Sequence, residues 1–381
     1  MAVAIVPTVI YSGMLGVVVL ALVGASTQSK SQQSKYLIGL LLLLTIHIFG
    51  ELFIYSGAYE YAPGLAGFQL PIRMLLGPAL YFYAYAAMSP NNKLSIGSYL
   101  LALSGPLIVL MLMIPFIFNM SPAQKLALAD PATRDPELWK IALYTCLASA
   151  IAFIAFTFAY LIAAFKVQSK YRRQLLDKYS EIEQRSMDWF KVVLILWGSA
   201  WLIYTANYTA SFLGIRFWGI GAVLPIFELI ILVIFTHLAI NQVTVGVSER
   251  GEPEPPKERP TIISTERMRQ VAENLASVMV ERELFKNEDL SLSALSKSIS
   301  VSENHISETL SQFMQTNFFQ FVNSYRVDEA KKLLNSSDML VTSIAYEVGF
   351  KSKSTFNSAF KKMVGTTPTA FKTQNSLESK Q

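Results

Sequence analysis

The sequence predicts an all-α chain in two parts: a seven-transmembrane helix bundle, then an all-helical domain with two helix-turn-helix units joined by a linker helix. Three observations predict it. The 381 residues have a mean hydropathy of +0.38 and only 15% charged residues, against about 25% in soluble globular proteins. The charge is uneven: residues 1–241 hold 15 Lys/Arg and 10 Asp/Glu, while residues 261–381 hold 14 and 13 in half the length. Beyond residue 264 the apolar residues recur at helical spacing, with no strand signal. These features argue against a soluble enzyme of one or two domains, a disordered tail protein and a secreted disulfide scaffold. The single cysteine, Cys146, allows no intrachain disulfide. The expected organisation is a transmembrane domain over 1–241, a linker over 242–262, a soluble domain over 263–375 and a tail over 376–381.

A spanning helix needs about 20 predominantly apolar residues. Seven segments qualify: roughly 4–25, 36–56, 67–88, 96–119, 140–165, 190–213 and 219–241. Gly77, Pro78 and Pro115 fall inside them, which membrane helices tolerate better than soluble ones. Lys30, Lys35, Lys93, Lys166, Lys170, Arg172, Arg173, Lys178, Arg185 and Lys191 cluster in one set of alternate loops. The opposite set carries Lys125, Arg134, Lys140 and Arg216. The positive-inside rule therefore puts the N-terminus outside and residue 242 onward in the cytoplasm. Trp139, Trp189 and Trp218 fall at membrane faces, where an aromatic belt would have them. The first segment lacks the positive n-region of a signal peptide, so it is expected to remain uncleaved.

Ionisable groups inside a membrane segment are costly and point to function. His47 and Glu51 in the second span, Arg73 at the start of the third and Glu228 in the seventh are candidates for a sensor pocket. The competing reading is a structural Glu51–Arg73 pair that holds helices together. No predicted span has a central lysine for a retinal Schiff base. No HExxH, phosphate-cradling glycine loop or paired cysteines appear. No enzymatic activity, cofactor or metal is therefore expected.

Residues 247–260, VSERGEPEPPKERP, read as a Pro-rich extended spacer. Met268, Val271, Leu275, Val278 and Met279 then mark one face of a first helix, and Leu292, Leu295 and Ile299 a short second one. Ser302 offers an N-cap before Ile306, Leu310 and Phe313. A longer helix carries Phe318, Phe321, Val322, Tyr325, Ala330, Leu333 and Leu334. Ile344, Ala345 and Val348 begin another short helix, closed by Gly349 in a left-handed cap. Ser352 caps the next, with Phe356 and Phe360 inward, and Gly365 and Pro368 end it.

The stretch from about 290 to 372 resembles the DNA-binding domain of AraC/XylS-family transcription regulators. The second unit, SIAYEVGFKSKSTFNSAFKKMVGTTPTAFK (343–372), carries most of the likeness. Tyr325, Arg326, Ala330 and Leu334 of the linker helix add to it. The first unit departs mildly, with Ser296 where Ala is usual and Asn317 where Gly is usual. Asn accepts the left-handed conformation better than most residues.

The resemblance implies recognition helices over about 302–313 and 352–363, entering two adjacent major grooves. Base-reading candidates are then Glu303, Asn304, His305 and Ser307 in the first, and Lys353, Ser354, Thr355, Asn357 and Ser358 in the second. Arg326, Lys351, Lys361 and Lys362 are candidates for phosphate contacts. Between 348 and 372 there are five lysines and no acid, whereas acids outnumber bases over 261–347. The second unit should therefore supply most of the salt-dependent affinity, and a domain this weakly basic should pair as a homodimer. Expected partners are double-stranded DNA, the lipid bilayer, a stimulus ligand of unknown identity and RNA polymerase. The expected location is a bacterial inner membrane. The competing readings are a transporter or membrane enzyme with an attached DNA-binding feedback domain, and a protein-interaction module.

Overall fold

The computed structural model describes residues 3–27, 31–89, 93–130, 132–183, 185–212, 220–242 and 263–378. Most of these residues are helical, with no strand among them. The chain forms two compact units. One comprises residues 1–169 and 188–244, the other 170–187 and 245–381. The segment 170–187, which sequence alone gives to the apolar part, thus groups with the C-terminal domain. Apart from Gln242 at its start, the Pro-rich linker lies outside the described residues, as do Lys30, Arg216 and Trp218.

The first unit contains α1 (Ile5–Thr27), α2 (Gln32–Tyr55), α3 (Gln69–Arg73), α4 (Leu76–Met88), α5 (Ile96–Ile117), α6 (Pro122–Leu128), most of α7 (Pro136–Lys178), α8 (Asp188–Phe212) and α9 (Ile220–Asn241). Six of these, α1, α2, α5, α7, α8 and α9, are long and apolar enough to cross a membrane. On α1, Tyr11, Met14, Val18, Ala21 and Ala25 face inward at helical spacing. They pack against α2 and α9. The outward positions are also apolar: Ile5, Leu20, Leu100, Met111 and Ile195 are all exposed. A soluble bundle would put charge there.

The predicted third span, 67–88, is not one helix. It is divided into α3 and α4 by a tight turn at Met74 and Leu75, whose N–H groups donate to Pro71 and Ile72 three residues back. Pro78 has no N–H to give the carbonyl of Met74, so the regular ladder cannot run through this point. Gly77 lies where an added Cβ would stand 3.4 Å from the Thr157 backbone, which brings α4 close to α7.

The second unit contains α10 (Thr265–Glu281), α11 (Leu292–Ile299), α12 (Glu303–Glu308), α13 (Phe318–Ser336), α14 (Val341–Glu347), α15 (Lys353–Val364) and α16 (Pro368–Glu378). Side-chain oxygens of Ser264, Ser291, Ser302, Asn317 and Ser352 cap α10, α11, α12, α13 and α15 respectively. Each satisfies an orphan backbone N–H of a first helical turn. Two apolar clusters result. One joins Val271, Leu275 and Met279 of α10 to Leu292, Leu295, Ile306, Leu310, Phe318 and Val322. The other joins Val327, Ala330 and Leu334 of α13 to Ile344, Ala345, Val348, Phe350, Phe356 and Phe360. The linker helix α13 contributes to both.

Two local differences from the sequence reading have physical causes. α12 does not continue regularly but passes into a π turn over Thr309–Phe313, closed by Met314 N–H to Thr309 O at 3.0 Å. The extra residue in the turn rotates Phe313 outward, to 40% exposure, and Met314 packs on the core instead. In the turn that follows, the left-handed residue is Gln315 (φ 52°), not Asn317. Asn317 is extended (φ −116°) and serves as the cap of α13.

Gly349 has φ +94°, and a Cβ there would lie 2.6 Å from Phe285 O and 2.7 Å from Lys286 O. Gly365 has φ +87° in open space. Gly349→Ala should therefore destabilise the second unit by roughly 3 kcal/mol, and Gly365→Ala by only about 1 kcal/mol. Pulse proteolysis of the full chain across a urea series, following cleavage within residues 263–378, reads the difference.

Candidate nucleic-acid interface and a buried polar cluster

α15 is amphipathic by its own sequence. Phe356, Ala359 and Phe360 face the core, where Phe356 packs on Phe350 and Phe360 at ring separations of 5.3 and 5.6 Å. The remaining positions turn outward: Lys353, Ser354, Ser358, Lys361 and Lys362 are exposed, and Thr355 and Asn357 are partly so. The cap orients the first turn, with Ser352 Oγ accepting from Thr355 N–H at 3.1 Å. The structure thus gathers all five base-reading candidates of the second unit on one outward face, with Lys361 and Lys362 at its far end. Among the described residues, Lys353, Lys361 and Lys362 make no ion pair. Lys351 is engaged with Asp289.

On α12, Ile306 is buried, Asn304 is exposed, and Glu303, His305 and Ser307 are partly exposed. Ser302 Oγ accepts from His305 N–H at 3.3 Å. The unusual Ser296 closes the turn before this helix: its Oγ donates to Val301 O at 2.6 Å, and Val301 N–H returns to Ser296 O at 3.2 Å. A small alanine would leave out the first of these bonds.

Arg326 corrects the sequence reading. It is fully buried, not a cation held out to phosphate. Its Nε donates to Phe285 O at 2.7 Å and its Nη2 to Asn287 O at 2.8 Å. Nη1 reaches Asn323 Oδ1 and Nη2 reaches Ser180 Oγ, both at 3.3 Å. The guanidinium also lies over the Phe350 ring, 5.3 Å from its centroid. Burial pulls its pKa down to about 10, still charged at neutral pH. The planar fork matches several carbonyls at once, which a lysine cannot do.

Two residues of the segment 170–187 touch this face and were not singled out from sequence. Ser180 is the hydroxyl partner of Arg326. Glu183 Oε2 accepts from Ser352 Oγ at 2.6 Å and from Thr355 Oγ1. These hydroxyls hold the Glu183 carboxyl below its ordinary range. A depressed acid favours the bonded state at neutral pH, and that contribution is lost only as the pH falls through the carboxylate range. The signal available in sequence was slight: Glu181 and Glu183 are acids in a loop otherwise rich in Lys and Arg.

In the first unit, Glu51 and Arg73 are nearly fully buried and form an ion pair. Arg73 also lies over the rings of Trp201 and Tyr204, 5.6 and 5.1 Å from their centroids. Tyr11 donates its hydroxyl to Glu228 Oε2 at 3.0 Å, and His47 packs on Trp201 with ring centroids 5.5 Å apart. A small cleft of about 30 Å³, partly open to the surroundings, is lined by Arg73 with Leu70, Met74, Cys146, Phe153 and Tyr204 among others. Of the four pocket candidates only Arg73 lines it. Glu51 is joined to it through the ion pair, while His47 and Glu228 sit elsewhere in the same polar cluster. Cys146 is half-buried at the cleft wall. Among the described residues no group of His, Cys, Asp and Glu could hold a metal ion.

Residues 295–374 match the family described as "Helix-turn-helix domain". An uncharacterized HTH-type transcriptional regulator from Staphylococcus aureus is 37% identical over 90 residues, which cover 24% of this chain and 12% of that protein. The probable transcription factor PqrA from Proteus vulgaris is 29% identical over 110 residues, covering 28% of this chain and 90% of that protein. The chain thus spans about an eighth of the length of its Staphylococcus relatives. The C-terminal domain of the two-component response regulator yesN from Fusobacterium nucleatum is a structural neighbour with 24% identity and a TM-score of 0.25, over 27% of this chain and 98% of that one. The C-terminal part of the chain is an AraC-type helix-turn-helix domain, of a kind found in transcription regulators.

Arg326→Lys should destabilise the second unit by roughly 3 kcal/mol, because several buried carbonyls lose a charged donor. Urea-dependent proteolysis of the full chain checks it. Arg73→Ala should cost about 3–5 kcal/mol by leaving Glu51 buried without its partner, and the Glu51→Gln, Arg73→Gln pair should cost less than that single change. Thermal unfolding of the detergent-solubilised protein compares the two.

Proposed function

We propose that this chain is a membrane-anchored, one-component transcription regulator, in which a helical bundle senses a stimulus and the double helix-turn-helix domain binds specific DNA. The observation that carries the reading is the outer face of α15. It presents Lys353, Ser354, Thr355, Asn357, Ser358, Lys361 and Lys362, with no acid in the chain between 348 and 372. Lys and Asn at such a face read guanine and adenine edges, Thr touches the thymine methyl, and lysines at the far end meet phosphates. α12 is the second reading helix, with Asn304 and His305 toward bases and Glu303 accepting from cytosine.

Membrane anchorage is supported by the six long apolar helices and their apolar outer surfaces. α3 and α4 together run from residue 69 to 88, about the length of one further crossing in a broken helix. The segment 170–187 groups with the C-terminal domain, and α8 and α9 separate the two in sequence. Two crossings return a chain to the side it left. The Lys/Arg-rich loop and the DNA-binding domain then share one side, the cytoplasmic one by the positive-inside rule. The cleft at Arg73, with the Glu51 pair behind it, is the site assigned to the stimulus. A ligand there shifts the DNA-binding state only as far as it binds two arrangements of the bundle differently. Operation as a homodimer on paired half-sites, with RNA polymerase as the downstream partner, completes the reading.

Genome-wide occupancy of the full-length tagged protein, beside a Lys353→Ala, Lys362→Ala variant, tests it. Discrete peaks that disappear in the variant are expected. An occupancy profile identical in the two would overturn the reading.

A further inference from the structure

The loop 179–187 is bonded to both helix-turn-helix units. Tyr179 pairs with Ser291 as an isolated antiparallel bridge at the start of α11. Ser180 is buried, and its N–H and Oγ both donate to Leu290 O, at 3.3 and 2.7 Å. Its carbonyl accepts from Asn323 Nδ2 at 3.3 Å, and its Oγ accepts from Arg326 at the same distance. Arg185 folds back over the Tyr179 ring, 4.3 Å from the centroid. From this anchorage the chain carries Glu183 to the start of α15, where one carboxylate oxygen takes the hydroxyls of Ser352 and Thr355.

The chemistry at that spot is the chemistry a nucleic-acid backbone offers: an anionic oxygen held by hydroxyls at the N-terminus of a helix. Thr355 is also one of the residues with which the helix would read bases. DNA seated on α15 would bring its own phosphates and base edges to the place the carboxylate holds, and two anions there repel. The two arrangements exclude each other. In sequence the loop lies between α7 and α8.

We infer that the loop 179–187 is a built-in inhibitor of DNA binding, in which Glu183 stands in for a DNA phosphate on α15 until the apolar bundle withdraws it. This rests on the DNA-binding reading and adds to it the step by which a signal reaches the domain without any change in its fold.

The test uses the full chain in lipid nanodiscs and a fluorescein-labelled 40-base-pair duplex of mixed sequence at low salt, read by anisotropy. Glu183→Gln keeps the shape of the side chain and removes its charge. It should bind the duplex about tenfold tighter than wild type, close to the worth of one charge-assisted bond, since the Gln amide oxygen can still accept from the hydroxyls. Glu281→Gln, which removes one exposed acid at the end of α10, should change binding less than twofold. Hydrogen exchange at the Ser180 amide should rise when saturating duplex is added to the wild type. Equal affinities for Glu183→Gln and wild type, with Ser180 exchange unmoved by DNA, would overturn the inhibitory role. If the Lys353→Ala, Lys362→Ala variant still weakens binding in that case, the DNA-binding reading survives alone. Absence of binding by wild type and Glu183→Gln alike would overturn both.

Discussion

One buried cation organises the C-terminal domain. The Arg326 guanidinium is removed from water and compensated by carbonyls of Phe285 and Asn287, the amide oxygen of Asn323 and the hydroxyl of Ser180. A desolvated charge is tolerated only when its donors are met. The turn after α10, the linker helix and the loop 179–187 must therefore hold their positions together. The same side chain lies over Phe350, beside the glycine whose close approach to Phe285 O and Lys286 O admits no Cβ. Both helix-turn-helix units are thus registered to one another through the residues that surround a single side chain. The outward faces of α12 and α15 inherit their placement from it.

The apolar unit solves a related problem in the opposite setting. Beneath a largely aliphatic exterior, a few of its ionisable and hydroxylated side chains turn inward and find one another: Glu51 with Arg73, Tyr11 with Glu228, and Arg73 over two aromatic rings. Polar groups gathered this way specify which helices adjoin, because any other arrangement strands a charge. The break between α3 and α4 lies beside Arg73, so the ion pair and the irregular backbone fall at the same place.

Local chemistry made much of the fold legible in the sequence. Ser302 and Ser352 cap helices as their spacing implies, Gly349 and Gly365 take the left-handed turns, and the inward positions of α15 follow the helical period. The features that escaped reading depend on partners far away in the chain or on small changes of register. Arg326 meets acceptors 39 to 146 residues distant, and Glu183 meets hydroxyls 169 and 172 residues on. A side chain's fate at such separations is decided by tertiary packing. Phe313 fits the helical spacing and is displaced by a π turn that leaves no mark on the pattern. The third apolar segment has the length of a span, but it is broken at Met74 and Leu75, four and three residues before the missing N–H of Pro78. The outward face of α15 was foreseeable because amphipathicity fixes what points outward, whereas what rests upon it was not.

The helix α7 has 43 residues, a length of about 65 Å at 1.5 Å per residue. That is about twice the hydrocarbon thickness of a bilayer. On the reading proposed above, a bilayer grips only part of it, and the remainder is a lever arm that ends at Lys178, five residues before Glu183. A tilt of about 10° moves a point 30 Å along such an arm by roughly 5 Å, more than the reach over which a hydrogen bond holds. On the same reading, a small tilt of α7 suffices to break the bonds of one carboxylate near its end.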